Sequence, residues 1–506
     1  MVRPVDDSGV TDAGTLLRRA ADAHGDREAF VDGEVRLTFG QWDIAADAVA
    51  AWLADRGVGK GDVVALVLGA CADFAVCYQA AMRLGAITSP LNPRLGAREM
   101  TSIFERTAPR VTIIDPAMAS LPPGATTGDV LRREDLAAIV AAAGRPAQVP
   151  SLSLDDVAAI VWTSGTTGVP KGAVFDHGCF QGTAHGVGVL SVPGDRRISP
   201  VPFAHVGYMT RPWDEIGNVI TTVIIPTPWH AADHLRLMAQ ESVTVGQGVP
   251  TQWQLMLQHP DLASTDVSSL RITSTGASKV PPELVRAMRK AFGVPVVVRY
   301  TSTEASVTTG TQVDDDDEVI ANTVGRPAPN VELRVCVGDR RASVGEVGDI
   351  HIRSRAQMRG YWKDPERTAA VIGPEGWLDT GDLGWLDAAG NLSIVGRKVE
   401  MYIRGGYNVY PAEVEDVLGE HPAVQRAAVV GVPDPVLGQI GGAAVIPSDP
   451  AQPPTLDELK AWCRDRLAGY KAPDRLRIVA ELPVNAMQKV VKATVVALFT
   501  EGEGNG

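Results

Sequence analysis

At 506 residues the chain is too long for a single core, so two or more domains are expected. Hydrophobic residues at 45% and charged residues at 21% suit a globular enzyme, and a net charge of −13, from 47 basic and 60 acidic residues, argues against a general nucleic-acid binder. A locally bound anion stays open, because local field outweighs net charge.

The opening MVRPVDDSGV lacks a basic-then-apolar leader, and no apolar run reaches membrane-helix length, so a cytoplasmic chain with no membrane span and no nucleic-acid partner is expected. Cys71, Cys77, Cys179, Cys336 and Cys463 form no C-x-x-C pair and read as reduced thiols. Thr38 caps a helix whose Trp42, Ala45, Ala46, Val49, Trp52 and Leu53 recur at helical spacing. Val63 to Leu68 reads as a buried strand, Phe74 to Leu84 as a helix, and Val111 to Ile114 as a strand again. This alternation indicates a parallel sheet with helices on both faces. The Gly-, Pro- and Ala-rich stretch from Leu121 to Pro150 reads as a surface crossing. Beyond it the alternation resumes, with a helix near Gln181 to Leu190, a strand near Val219 to Ile225 and a helix near Ala231 to Gln240, implying a second sheet.

The acidic run Asp314 to Glu318 reads as a solvated loop, since like charges repel and no flanking ligands suggest a metal. Short alternating segments from Val331 to Arg353 suggest a small antiparallel barrel or sheet. After Val395 the composition changes to a compact α+β unit. Its predicted elements are a helix from Pro411 to Leu418, a strand from Ala427 to Val430 and a helix from Leu456 to Leu467.

The stretch that organises the chain is TSGTTGVPKG, Thr163 to Gly172, directly after the apolar run Val157 to Trp162. Its ten residues hold four hydroxyls, three glycines and Lys171. Glycine lets backbone N–H groups turn toward an anion, and the hydroxyls and lysine add donors and charge. It is not a common P-loop, because Pro170 precedes the lysine and Gly172 follows it. Six further stretches bear chemistry: PFAHVG from Pro202, STGAS from Ser274, RYTSTE from Arg299, WLDTGDLG from Trp377, GRKVEMYIRGGYNVYPAEVE from Gly396, and LAGYKAP from Leu467 together with LPVNAMQKVVK from Leu482. Tyr300 offers a ring for stacking, Thr303 a phosphate donor, and Glu304 a hard oxygen for Mg²⁺. Asp382 could accept from two hydroxyls, or cap its own turn.

In this order and across nearly the whole chain, these stretches closely resemble the adenylate-forming superfamily, which includes acyl-CoA synthetases, luciferases and the adenylation domains of peptide synthetases. The resemblance implies that Thr163, Ser164, Gly165, Thr166, Thr167, Gly168 and Lys171 close over the β- and γ-phosphates of ATP. It lays Thr275, Gly276 and Ala277 against the adenine, with Tyr300 stacking on it and Thr301 and Ser302 beside it. It gives Glu304 to Mg²⁺, Asp382 and Arg397 to the ribose, His205 to gating the acid pocket, and Lys489 to catalysis. Gly405 and Gly406 fall in the loop that, in CoA-using members, adjoins the pantetheine. Arg211 is a candidate for meeting a second polar group on the acid.

Three positions depart from the pattern. Thr301 stands where glycine is usual, which implies an acid that is small or polar near its carboxylate. Val399 stands near the hinge where relatives carry Asp or Lys, and Gln488 replaces the glycine before the lysine. The expected fold is α/β: a large N-terminal domain, 1–398, of two doubly wound sheets plus a small β-barrel, then a small mobile α+β domain, 399–506, carrying Lys489. The expected function is ATP- and Mg²⁺-dependent activation of a small carboxylic acid as an acyl-adenylate, then transfer to coenzyme A. The alternative is adenylation with another acceptor or acid: a carrier protein, an amine, or nitrite. A homodimer is compatible with the chain.

Overall fold

The computed structural model describes residues 2–125, 127–142, 144–146, 148–163, 170–276, 280–484 and 490–500. The chain divides into two compact units, one of Met1–Leu333 and His351–Thr380, the other of Arg334–Ile350 and Gly381–Gly506.

Among the described residues the first unit holds two large sheets. The seven-stranded one runs, in spatial order, Gly360–Tyr361, Lys171–Asp176, Val157–Thr163, Ile87–Pro90, Val63–Val67, Val111–Ile114, Asp129–Arg132. Its central strands pair in parallel, and Val63–Val67 is buried throughout, as a run of Val, Ala and Leu between helical layers must be. The nine-stranded sheet runs Arg326–Pro327, Ser306–Gly310, Val296–Ser302, Ile272–Gly276, Val245–Gln247, Arg196–Ser199, Thr221–Ile224, Glu28–Asp32, Val35–Thr38. Its interior is parallel as well. A core of Val31, Ile198, Val223, Leu235, Met238, Trp253, Met288 and Val298 fills one side.

The local signals explain most element ends. Thr38 and Gln41 close a reciprocal capping box that starts the helix Phe39–Ala54. The helix expected near Gln181 to Leu190 instead spans His177–Gly186, because the Asp176 carboxylate accepts from Cys179 N–H at 2.7 Å and sets the start four residues earlier. The Leu121 to Pro150 crossing contains a strand, Asp129–Arg132, and a short helix, Leu136–Ala141. Only Leu131 of that strand is buried, so no alternation marks it; the ladder to Val111–Ile114 makes it a strand. The acidic run is paired rather than simply solvated: Asp315 with Arg326, Asp317 with Arg289, and Glu318 with Arg286 at 2.9 Å.

A five-stranded sheet, in the order Arg340–Arg341, Val331–Val337, Gly348–Ser354, Leu378–Leu386, Leu392–Arg397, stands where a small barrel or sheet is expected. The second unit contains the sheet Tyr407–Val409, Tyr402–Arg404, Gly438–Pro447, Val424–Asp434, with Arg475–Ile478 joined parallel to Gly438–Pro447. Helices Pro411–Gly419 and Leu456–Arg464 cover one face through Val414, Leu418, Leu459 and Cys463, and Lys492–Thr500 packs Val495 and Phe499 on the other. The fold is thus mixed α/β with a larger first part and a smaller second one. Among the described residues no helix is long and apolar enough to cross a membrane.

Candidate active site

In parallel sheets, ligands gather beyond the carboxyl ends of the strands. The first-unit chemistry stretches begin at such ends. Val157–Thr163 runs parallel to Ile87–Pro90 and antiparallel to Lys171–Asp176, and Thr163 lies opposite Lys171 in that hairpin. Ser164, Gly165, Thr166, Thr167 and Gly168 lie outside the described residues, as do Ala277 and Lys489. The hairpin's return is pinned at Pro170, whose carbonyl accepts from Arg106 Nη1 at 2.5 Å. Arg106 Nη2 donates to the Trp362 carbonyl at 3.3 Å, and its guanidinium lies 5.3 Å from the Trp162 ring centroid. Burial moves its pKa down from the ordinary arginine value.

In the nine-stranded sheet, Ile272–Gly276 and Val296–Ser302 are parallel neighbours, with Thr275 opposite Val298 and Gly276 opposite Arg299. A Cβ on Gly276 would stand 2.3 Å from the Arg299 carbonyl oxygen, so the adjacent strand itself demands glycine. Thr275 Oγ1 is buried with no hydrogen-bond partner among the described residues. Tyr300 is buried, and the hairpin Val296–Ser302 to Ser306–Gly310 shifts register between Tyr300 and Thr301. That bulge re-aims Thr301, which is exposed.

The turn between these strands carries half-buried Thr303 and Glu304. Ser302 Oγ accepts from Ala305 N–H at 3.1 Å, and Met358 N–H donates to the Glu304 carbonyl at 2.8 Å. The Ser306 hydroxyl, on a residue at φ +57°, lies 3.0 and 3.1 Å from those of Thr183 and Thr210, and both threonines donate to a helix carbonyl four residues back. The turn is thereby tied to Val206–Met209, the helix that His205 caps.

His205 Nδ1 accepts from Gly207 N–H at 3.1 Å, so the half-buried ring has a capping role in the resting fold. Arg211 Nε donates to Asp214 at 3.1 Å. Arg197 Nη1 reaches the same carboxylate at 3.2 Å, and the two cations hold Asp214 below the usual carboxylate range against its burial. Burial pushes Glu215 next to it up to about 7. Tyr208, Trp213 and Trp253 are core residues: Tyr208 stacks on Phe203 at 3.6 Å, and Trp253 Nε1 donates to the carbonyls of Gly248 and Ser274.

One contact was not anticipated from the sequence. Tyr361, on the edge strand of the seven-stranded sheet, donates its hydroxyl to Glu304 Oε1 at 2.9 Å across to the turn of the nine-stranded sheet. The Lys171 ammonium lies 5.4 Å from the same ring's centroid. The local signal is Gly360-Tyr361-Trp362 before the Pro365 helix start. Gly360 adopts φ +144° and has no room for a Cβ beside Thr368.

In the second unit Asp382 and Arg397 are cross-strand partners, with Nε to Oδ1 at 3.3 Å; Asp382 is buried and Arg397 exposed. Lys398 pairs with Asp349 at 2.8 Å, and Val399 beside it is 71% exposed, unusual for a large apolar side chain. Gly405 and Gly406, at φ +55° and +88°, form the two-residue turn between Tyr402–Arg404 and Tyr407–Val409, a turn that requires positive φ at both positions. Lys492 is bound to Glu415 and donates to the Val429 carbonyl at 2.8 Å, a structural tie.

These residues fit ATP with Mg²⁺. Thr275 Oγ1 is an orphaned buried group beside the strand ends, and Lys171 supplies a cation near Glu304. Glu304 Oε1 is occupied by Tyr361, while Oε2 takes no protein hydrogen bond among the described residues. One carboxylate oxygen suits Mg²⁺, which binds through one or two carboxylates plus substrate phosphates. Among the described residues no cluster of three or more His, Cys, Asp or Glu could form an all-protein metal cage.

The model of the AMP-binding enzyme family matches residues 17–362, and that of the AMP-binding enzyme C-terminal domain matches residues 413–489. The chain is 35% identical to the 3-[(3aS,4S,7aS)-7a-methyl-1,5-dioxo-octahydro-1H-inden-4-yl]propanoyl:CoA ligase of Rhodococcus jostii (strain RHA1), over 94% of this chain and 97% of the relative. It is 34% identical to the feruloyl-CoA synthase of an Amycolatopsis species, over 92% and 94%. The crystal structure of ATP-bound MatB from Rhodopseudomonas palustris superposes with a TM-score of 0.88 at 27% identity, covering 97% of this chain and 99% of that one. The chain therefore belongs to the AMP-binding enzymes, the adenylate-forming superfamily, among its acyl-CoA synthetases.

Proposed function

We propose that the protein converts a small-molecule carboxylic acid to its acyl-adenylate with ATP, then to its acyl-CoA thioester. The observation that carries this reading is the meeting of Lys171 and Glu304, from two different sheets, around Tyr361. A cation and a hard carboxylate converge where both sheets present strand ends.

In the first half-reaction a substrate carboxylate oxygen forms a bond to the α-phosphorus, and the bond to the bridging oxygen breaks, releasing pyrophosphate. The nucleophile is already ionised near neutrality, since its pKa is about 4–5. No general base is needed, and catalysis is positioning plus charge neutralisation. Lys171, with Thr163, Ser164, Gly165, Thr166, Thr167 and Gly168, holds the departing phosphates. Thr275, Gly276, Ala277, Tyr300, Ser302, Asp382 and Arg397 hold the nucleoside, and Thr303 donates to a phosphate. Glu304 would hold Mg²⁺, which when bound screens the phosphate charge. Lys489 carries the adenylation charge from the 399–506 region, and Gly405 and Gly406 serve the thioester step, in which a thiol attacks the mixed anhydride and AMP leaves.

The acid is small or polar near its carboxylate. Exposed Thr301, set beyond a bulge, places a branched hydroxyl where a glycine would leave room, and His205 gates the same pocket. Arg211 approaches a second polar group of the acid only by sharing its guanidinium with Asp214. The test is ATP–pyrophosphate exchange over a panel of acids, followed by CoA with detection of thioester. Exchange with short or polar acids and thioester on adding CoA are expected, and Thr301→Gly extends exchange to bulkier acids. Exchange without thioester, with product formed only from an amine or a carrier protein, would replace the acceptor. A Thr301→Gly variant with an unchanged acid profile would remove the pocket assignment.

A further inference from the structure

Tyr361 belongs to none of the motifs that assign roles in the reaction, yet it is the side chain through which two of the proposed site residues meet. It is 7% exposed. Its strand, Gly360–Tyr361, pairs antiparallel with Lys171–Asp176, with Tyr361 opposite Ala173, so the ring rides on the strand that begins at Lys171. Tyr361 N–H donates to Thr368 Oγ1 at 2.8 Å, and Trp362 N–H to the Gly172 carbonyl at 2.7 Å. The backbone is fastened on both sides of the ring, so the hydroxyl has one well-defined position.

We propose that Tyr361 is a positioning residue of the adenylation site: its hydroxyl occupies one oxygen of Glu304 and leaves the other to a single metal bond, while its ring face holds the Lys171 ammonium. This rests on the reading of Glu304 and Lys171 given above.

Two physical points support it. First, the 2.9 Å bond from the Tyr361 hydroxyl takes one Glu304 oxygen and so favours metal coordination through the other alone. That matches the strict octahedral demand of Mg²⁺ and disfavours the two-oxygen binding common with Ca²⁺. Second, the ammonium-to-centroid distance of 5.4 Å lies within cation–π range, so the ring restrains a flexible lysine without removing its charge. Glu304 and Lys171 come from separate sheets, and Tyr361 fixes their separation through one rigid ring.

The test is equilibrium binding of the non-reacting analogue α,β-methylene-ATP, by calorimetry, with Mg²⁺, with Ca²⁺ and without metal. Wild type, Tyr361→Phe, Tyr361→Leu and Glu304→Gln are compared. Wild type should bind more tightly with Mg²⁺ than without, and prefer Mg²⁺ to Ca²⁺. Tyr361→Phe, which keeps the ring, should lose roughly tenfold of the Mg²⁺-dependent gain, as expected for one hydrogen bond to a charged group. Its Mg²⁺-over-Ca²⁺ preference should narrow, with metal-free binding unchanged. Tyr361→Leu should also weaken metal-free binding; unchanged metal-free binding there would overturn the ring's role toward Lys171. If Glu304→Gln removes the Mg²⁺ gain while Tyr361→Phe retains both gain and metal preference, the Tyr361 assignment is overturned and the role of Glu304 stands. If Glu304→Gln itself binds Mg²⁺ and analogue like wild type, the underlying reading of Glu304 fails instead.

Discussion

His234 is fully buried between Trp229 and Trp253 in the core beside the nine-stranded sheet, with Trp229 Nε1 donating to its Nδ1 at 3.2 Å. Burial lowers its pKa to about 3. A lowered folded-state pKa means that the unfolded chain takes up a proton in the ordinary histidine range while the folded chain refuses it. The stability contribution is therefore complete above the unfolded value near 6.5 and is lost as pH falls toward about 3. The urea midpoint of wild type should fall between about pH 7.5 and 5, and His234→Phe should show a smaller fall over that interval. Equal falls in both proteins would show that His234 does not titrate on unfolding. At this scale legibility depended on local constraint. Gly405 and Gly406 announce a tight turn because both must take positive φ, and the structure has that turn. Tyr361 was not legible, since its significance lies in a hydrogen bond to a residue 57 positions away. Arg106 was hidden in the same way, as one cation on an ordinary amphipathic helix.

Arg106 shows how an element, rather than a residue, anchors the strand that begins at Lys171. It lies near the end of helix Ala97–Thr107 and clips that helix to two carbonyls, Pro170 and Trp362, on separate strand exits. The Trp362 indole returns a bond to the Arg106 carbonyl at 3.1 Å. Helix, hairpin return and edge strand are therefore joined at the start of Lys171–Asp176. Arg106→Ala should raise KM for ATP by roughly tenfold, the worth of a charge-assisted hydrogen bond, with KM for the acid little changed. Arg106→Lys should recover only part, because an ammonium cannot span both carbonyls as a planar fork does. Equal rises in both KM values would mean general loosening instead. Helices with local signals, such as Phe39–Ala54 with its Thr38 cap and helically spaced apolar residues, were readable from the sequence. Edge strand Asp129–Arg132 was not, because its identity comes from a neighbour's unpaired backbone.

Across the whole molecule, the proposed roles divide between the two units. Lys171, Tyr300 and Glu304 belong to one; Asp382, Arg397, Gly405, Gly406 and Lys489 belong to the other. Order and spacing of the motifs made the α/β architecture and the family readable, since loops at strand carboxyl ends are where short sequence carries chemistry. The acid's identity was less readable, because a pocket is built from side chains remote in sequence. The two-step scheme makes a sharp demand on Lys489, whose assigned role lies in the first step. The measurement is Lys489→Ala, assayed separately for pyrophosphate exchange and for thioester formation from supplied acyl-adenylate and CoA. Exchange should fall by at least about 10²-fold, the scale of losing one preorganised charge partner, while thioester formation stays near wild type. Loss of both half-reactions to the same extent would contradict the assignment of Lys489, and with it the division of labour on which the two-step reading stands.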